Sequence, residues 1–283
     1  MNGCLYCGHT DLRPWRKDCR DCFMGLPLVV SYARCANCGS AQQSPIPSDT
    51  AALYADYPIH RPRSKAYNRL RSFLFSEVYF DASGLGAEQR LLDYGCGDGW
   101  YLKSLGAQHQ HVYGYEYSAP HARELARSLA LPVTASLDEL KALEPQGFDV
   151  ITLHFVFEHV TDPAPLLARL AGCLRPGGRI FIVIPEAESW ESRLFGVFWH
   201  GLDPPRHISF ATHQGMQLAA KSAGLTIAAK KPLAFPNTFA GSLATLPGGT
   251  FHPMLFNLLL PLGLLVAHLR PGGSVAYTLT RSS

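Results

Sequence analysis

Residues Leu91–Leu105, LLDYGCGDGWYLKSL, join a short apolar run to a helix-forming run through three glycines, Gly95, Gly97 and Gly99. The spacing is G-x-G-x-G. A dinucleotide fingerprint, G-x-G-x-x-G, needs its third glycine where this chain has Trp100. That glycine lets the helix close on the strand and seat a pyrophosphate on its N-terminus. An indole there argues against such a seat. No Gly-Lys-Ser/Thr follows, so a P-loop is excluded as well. The turn offers bare backbone to its ligand but is poorly shaped for phosphate.

Outward from this turn the chain alternates strand and helix. RLLDYG reads as a strand and GWYLKSLGA as the start of a helix; HVYGYE is a second strand before the helix SAPHARELARSLA. PVTA is a third strand, and FDVITLHF a fourth, whose continuous apolar run suits a strand covered on both faces. DPAPLLARLAGCL predicts a helix stopped by RPGG, and RIFIVIP a fifth strand. THQGMQLAAKSAG is helical, with LTIAAKKPL and SVAYTLTRS as the sixth and seventh strands. Repeated βα units imply an α/β fold, a parallel sheet with helices on both faces. Ligands of such sheets bind beyond the carboxyl ends of the strands, at the topological switch point. The glycine turn falls there.

The first 38 residues differ in kind, holding six of the eight cysteines. The opening MNGCLYCGHT has no apolar core of a signal peptide, so the expectation is a cytoplasmic chain. Its CxxC pairs then read as metal ligands rather than disulfides. CLYCG and CANCG each end in the glycine that a tight thiolate turn needs, whereas CRDCF does not. Cys4, Cys7, Cys35 and Cys38 are therefore expected to hold one structural Zn2+ tetrahedrally. Cys19 and Cys22 would be free thiols on an intervening loop; two metals sharing six thiolates are the alternative.

Charge is uneven. The net charge is +3, yet residues 1–72 hold ten Lys/Arg against five Asp/Glu. The run HRPRSKAYNRLRSFLF, with Arg61, Arg63, Lys65, Arg69 and Arg71, has no acid. A solvated helix face explains it best. A patch for a phosphate-bearing substrate is the sharper reading.

Four motifs in order, Asp93-x-Gly95-x-Gly97-x-Gly99, Glu116 after the second strand, FDVITLHFVFEHV and LRPGGRIFIVIP, resemble class I S-adenosylmethionine-dependent methyltransferases over roughly residues 50–283. Ribbon and core together are similar to a subset of small-molecule methyltransferases with an N-terminal cysteine knuckle. The resemblance implies a Rossmann-like, seven-stranded methyltransferase sheet with helices on both faces, plus a small zinc ribbon. It divides the chain into a ribbon (1–48), a linker with helices capping the cofactor site (49–89) and the methyltransferase domain (90–283), with an apolar insertion at 235–273. The cofactor, S-adenosyl-L-methionine, has an amino-acid tail and no phosphate, which answers to the bare turn. Gly95, Gly97 and Gly99 would admit its methionine portion, and Asp93 would order the turn. Glu116 offers two acceptor oxygens to ribose hydroxyls. Tyr117 would stack on adenine, Ser136 would stand near the adenine amino group, and His154 and Phe155 would line the floor.

For catalysis, the sulfonium is already activated, so alignment is the main task. A hydroxyl acceptor also gains from a general base, and histidine is the usual one. The candidates are His159 in FEHV and His207 in WHGLDPPRHISF, the latter on a proline-restricted turn. The apolar run Met254–Leu269 is shorter than the ~20 residues of a membrane span. It predicts a buried cover or homodimer contact, with peripheral membrane contact as the alternative. The function expected is methyl transfer to O, N or C of a small-molecule acceptor: a saccharide, an envelope precursor or a secondary metabolite. An RNA methyltransferase gripping nucleic acid with the ribbon is the second reading. Near-neutral charge and the lack of an aromatic-rich RNA signature argue against it. A non-catalytic cofactor-binding protein is the third.

Overall fold

Leu91–Tyr94, buried at every position, form strand β4 near the middle of a seven-stranded sheet. The computed structural model describes residues 3–54, 64–75, 78–79, 84–86, 88–105, 109 and 111–282. Beside β4 lie β5 (Val112–Tyr115) and β6 (Val133–Thr134) on one side. On the other lie β7 (Phe148–His154), β8 (Leu174–Pro185), β11 (Ser274–Arg281) and, at the edge, β10 (Leu225–Leu233). The run FDVITLHF is indeed covered on both faces, with Val150, Ile151 and Leu153 fully buried.

The expected parallel pairing holds from β4 to β8 but not at β11. β11 runs antiparallel to both β8 and β10. It is reached from β10 through helices α8 (Pro236–Thr245) and α9 (Pro253–Leu269), a return that reverses its direction. The chain moves outward from β4 to β6, then restarts on β4's other side at β7. The switch point is therefore the crevice between β4 and β7. Segments 95–99 and 155–160 open into it together.

Two glycines of the turn are fixed by geometry. Gly95 has φ +82°, and a Cβ there would lie 2.6 Å from Cγ2 of Val156, just past β7. Gly99 has φ +67°, and its Cβ would meet Leu129 Cδ1 at 2.7 Å. Leu129 ends helix α3 (Ala119–Leu129), so Gly99 lets α3 close on the turn. Both positions combine a left-handed backbone with no room for a side chain.

The N-terminal ribbon is a second sheet, made of β1 (Leu12–Arg20), β2 (Val29–Cys35), β3 (Ala41–Gln43) and β9 (Ser209–Phe210) in that order. Its fourth strand comes from the segment after β8: Ala41 pairs with Phe210 and Gln42 with Ser209. Cys19, Tyr32 and Ala41 share a buried cluster with Trp199, Leu202 and Phe210. Cys19 thus sits on β1 in that core, not on the expected loop.

Candidate functional site

At the turn, Asp93 accepts a hydrogen bond from the Thr152 hydroxyl at 2.9 Å, tying β4 to β7. Its Oδ1 also stands 3.6 Å from Nδ1 of His154. Glu116, which follows β5 and is buried, accepts from the amides of Gly97 at 3.1 Å and Ser118 at 3.3 Å. The acidic residue and the glycine turn are thus in direct contact. His154 stacks on Tyr79 with centroids 4.4 Å apart. Both its ring nitrogens are buried with no hydrogen-bond partner. An orphaned imidazole, a buried carboxylate and a glycine-rich turn at one crevice suit a cofactor with a polar tail and a ribose. Asp93, Gly95, Gly97, Glu116 and His154 would hold it.

The other residues expected here have different surroundings. Tyr117 is 78% exposed and borders a cleft of about 770 Å³, bounded elsewhere by segment 42–50 and Thr161. Ser136 caps helix α4 (Leu137–Leu143) by accepting from the Glu139 amide. Phe155 has φ +56° and stacks on Phe235 at 4.7 Å. Of the basic run, Arg61 and Arg63 lie outside the described residues. Arg71, on helix α1 (Lys65–Leu74), pairs with Asp98 at 2.7 Å and covers the Trp100 ring at 4.3 Å. That cation pins α1 onto the turn, which accounts for it without a phosphate.

His159 and His207, 48 positions apart in sequence, meet with ring centroids 4.7 Å apart. His207 Nδ1 lies 2.8 Å from the Gly201 carbonyl, which can only accept, so the N–H is on Nδ1. Its Nε2 lone pair is left 3.8 Å from Oε1 of Glu158. His159 Nδ1 lies 2.9 Å from the Arg206 carbonyl and 2.8 Å from the Tyr54 hydroxyl. Burial holds both imidazoles below the ordinary range, His207 at about 3, so both are neutral.

Sequence reasoning passed over Glu158. Its side chain is buried, both carboxylate oxygens lack a partner, and burial pushes it up to about 8. A carboxyl held near neutrality can exchange a proton at working pH, beside an imidazole that burial keeps unprotonated. FEHV looked like a loop, and nothing local in it signals burial. Arg206 was also missed. It is fully buried and bridges Asp21 of the ribbon, at 2.7 and 2.9 Å, to Asp203, at 2.6 Å.

The ribbon brings its four predicted thiolates together. Cys4 Sγ lies 3.5 Å from Cys38 Sγ, and Cys7 Sγ lies 3.6 Å from Cys35 Sγ. All four fall within 4.8 Å of one another. Tetrahedral zinc with 2.3 Å bonds needs sulfurs about 3.8 Å apart. The Cys4 thiol and the Ser40 hydroxyl and amide hold Cys38 well below the usual thiol range, favouring the thiolate a metal needs. Cys19 and Cys22 are not in the cluster. A Cys19→Ser/Cys22→Ser double variant should therefore keep one zinc per chain by elemental analysis; loss of all zinc would contradict the four-thiolate site.

Comparison with known proteins bears on the family and the fold. A family model described as a methyltransferase domain matches residues 59–230. The ubiquinone biosynthesis O-methyltransferase of Aeromonas salmonicida is 35% identical over 108 residues, 36% of this chain and 45% of that protein. Its counterpart in Saccharophagus degradans is 35% identical over 111 residues, covering 36% and 46%. The chain thus spans under half the length of these relatives. The structure of geranyl diphosphate methyltransferase in complex with SAM superposes with a TM-score of 0.51 at 18% identity, over 80% of this chain and 95% of that one. That likeness is one of fold.

Proposed function

The chain belongs to the methyltransferase-domain family, and from that premise we propose that it transfers the methyl group of S-adenosylmethionine to a hydroxyl of a small molecule. The observation that carries the choice of hydroxyl is the tautomer of His207. Its Nδ1–H is committed to the Gly201 carbonyl at 2.8 Å, so an unprotonated Nε2 is presented beside Glu158. When bound, the cofactor supplies an already activated methyl group. The chain's task is then to align the acceptor and take its proton.

His207 Nε2 accepts that proton. Glu158, 3.8 Å away and pushed up to about 8, can release its own proton to solvent as the imidazole gains one, leaving a carboxylate beside the imidazolium. The relatives named O-methyltransferases support an oxygen acceptor. A small acceptor is supported by near-neutral net charge and by a His207 loop walled in by the ribbon.

Mass spectrometry of a cell extract incubated with isotopically labelled cofactor tests the reading; a labelled product with no new O-methyl group would refute the hydroxyl. With that acceptor in hand, His207→Ala should lower kcat by ~10²–10⁴-fold. Cofactor affinity by calorimetry should barely change, because Gly97 and Glu116 follow β4 and β5 and His154 ends β7, all apart from the His207 segment. Collapse of cofactor binding instead would make His207 a structural residue.

A further inference from the structure

Helix α9 is packed inside out. The side it turns to α8 carries small residues: Gly263 and Ala267 are its buried positions. A Cβ on Gly263 would lie 2.8 Å from the Pro236 carbonyl oxygen and 3.0 Å from Ala240 Cβ, so the two helices touch backbone to backbone. Phe256 packs against Phe251 and His200, but five other large side chains face away. Met254 is 88% exposed, Leu258 75% and Leu269 77%, with Leu262 and Leu265 exposed between them. Their spacing of three and four places them on one continuous stripe. Water-soluble helices put leucines inward and polar groups outward. Small residues at the helix contact with leucines outside is how helices pack in lipid.

Two further features say what covers the stripe. The first is charge. From Pro204 to Ser283 the sequence has no Asp or Glu, against six Lys/Arg. One of them, Arg270, directly follows α9, with its guanidinium 4.8 Å from the ring of Trp190. The Trp190 indole N–H donates to the Arg270 carbonyl at 3.3 Å. A Trp–Arg pair at the end of an apolar stripe matches the composition of a bilayer interface. The second is area. A 17-residue helix is about 25 Å long, and a stripe about 10 Å wide covers roughly 250 Å². A stable dimer buries about 800 Å² on each partner. The stripe is too small to hold a second copy by itself, but it suits shallow insertion. No helix among the described residues is long and apolar enough to cross a membrane.

We propose that α9 lies in the surface of an anionic lipid bilayer, with Met254, Leu258, Leu262, Leu265 and Leu269 among the acyl chains and Arg270 at the headgroups. This goes beyond the methyl-transfer reading and does not depend on it.

The test is flotation of the full chain with phosphatidylcholine vesicles, with and without about 30% phosphatidylglycerol. Flotation with the anionic vesicles is expected, weaker on phosphatidylcholine alone and reduced by salt. The double variant Leu258→Gln/Leu265→Gln should partition at least about tenfold less. Its zinc content and cofactor affinity should match the parent's, showing that the fold survives. A parent chain that stays with the aqueous fraction overturns the proposal. So does a parent that sediments as a dimer, ignores vesicles and becomes monomeric in the double variant, since α9 would then be an interface between copies. Arg270→Ala gives a milder check, reducing binding to anionic vesicles and leaving phosphatidylcholine binding unchanged.

Discussion

Metal-free protein, or a Cys35→Ser variant, is expected to lose methyl transfer while still binding the cofactor. The zinc cluster is far from decorative because the ribbon holds the His207 segment from several sides. Tyr32 donates its hydroxyl to the His207 carbonyl at 2.9 Å, and the Gln43 amide donates to the same carbonyl at 3.1 Å and to that of Pro205 at 2.6 Å. The Tyr6 hydroxyl meets the Ser209 hydroxyl at 2.8 Å, and Thr212 donates to the Cys38 carbonyl itself. Zinc binding in small cysteine modules is worth about 10–16 kcal/mol and is largely folding energy. Without it, three short strands have little core of their own, and β9 loses its partner. The cofactor groups sit on β4, β5 and β7 and should be spared. Elemental analysis, calorimetry with the cofactor and a turnover assay separate these effects. Trp199, buried against Phe210, adds a readout independent of activity: its fluorescence should shift to the red on chelation. A metal-free protein with full turnover and unchanged fluorescence would show that the ribbon and the His207 loop are uncoupled.

Much of this architecture was legible locally. The strands around Leu91–Tyr94 and Phe148–His154 announce themselves by apolar runs, and the glycine spacing with Trp100 argues against a phosphate ligand. The four zinc thiolates follow from CxxC-Gly spacing, because two knuckles need only a short hairpin between them. What stayed hidden depends on contacts between distant segments. Pairing of Gln42 with Ser209 joins the ribbon to the loop after β8, and no pattern within either stretch encodes it. The antiparallel course of β11 depends on how α8 and α9 return the chain. Glu158 carries its meaning through burial, which a polar residue between Phe157 and His159 does not advertise. Arg206 carries no local signal of burial either. Its two carboxylate partners lie 3 and 185 positions away.

That buried triad carries the other large effect. Arg206→Met should cost about 3–5 kcal/mol, the scale for leaving buried charges without their partner. The guanidinium is fully buried and takes Asp21 with two donors, at 2.7 and 2.9 Å. It takes Asp203 with two more, at 2.6 and 3.0 Å. Removing it strands two carboxylates, and Asp21 also anchors the amides of Phe23 and Met24 in the ribbon's turn. For a chain of this size the loss is roughly 5–8 °C in Tm. The pH dependence gives the prediction its sign. Burial alone would raise both carboxyls, but the Arg206 hydrogen bonds outweigh it and hold Asp21 and Asp203 below their ordinary values. In the parent, this contribution is complete above the unfolded carboxyl value of about 3.9 and fades as pH falls through the lower folded values. In the variant, burial acts without the guanidinium's opposition, and protonation relieves it. The gap between parent and variant should therefore be widest near pH 7 and shrink as pH falls towards 3. Thermal melts at several pH values measure it. A gap that stays constant across that range would mean the loss comes from packing alone, and a Tm equal to the parent's would mean the triad contributes nothing to joining ribbon and loop.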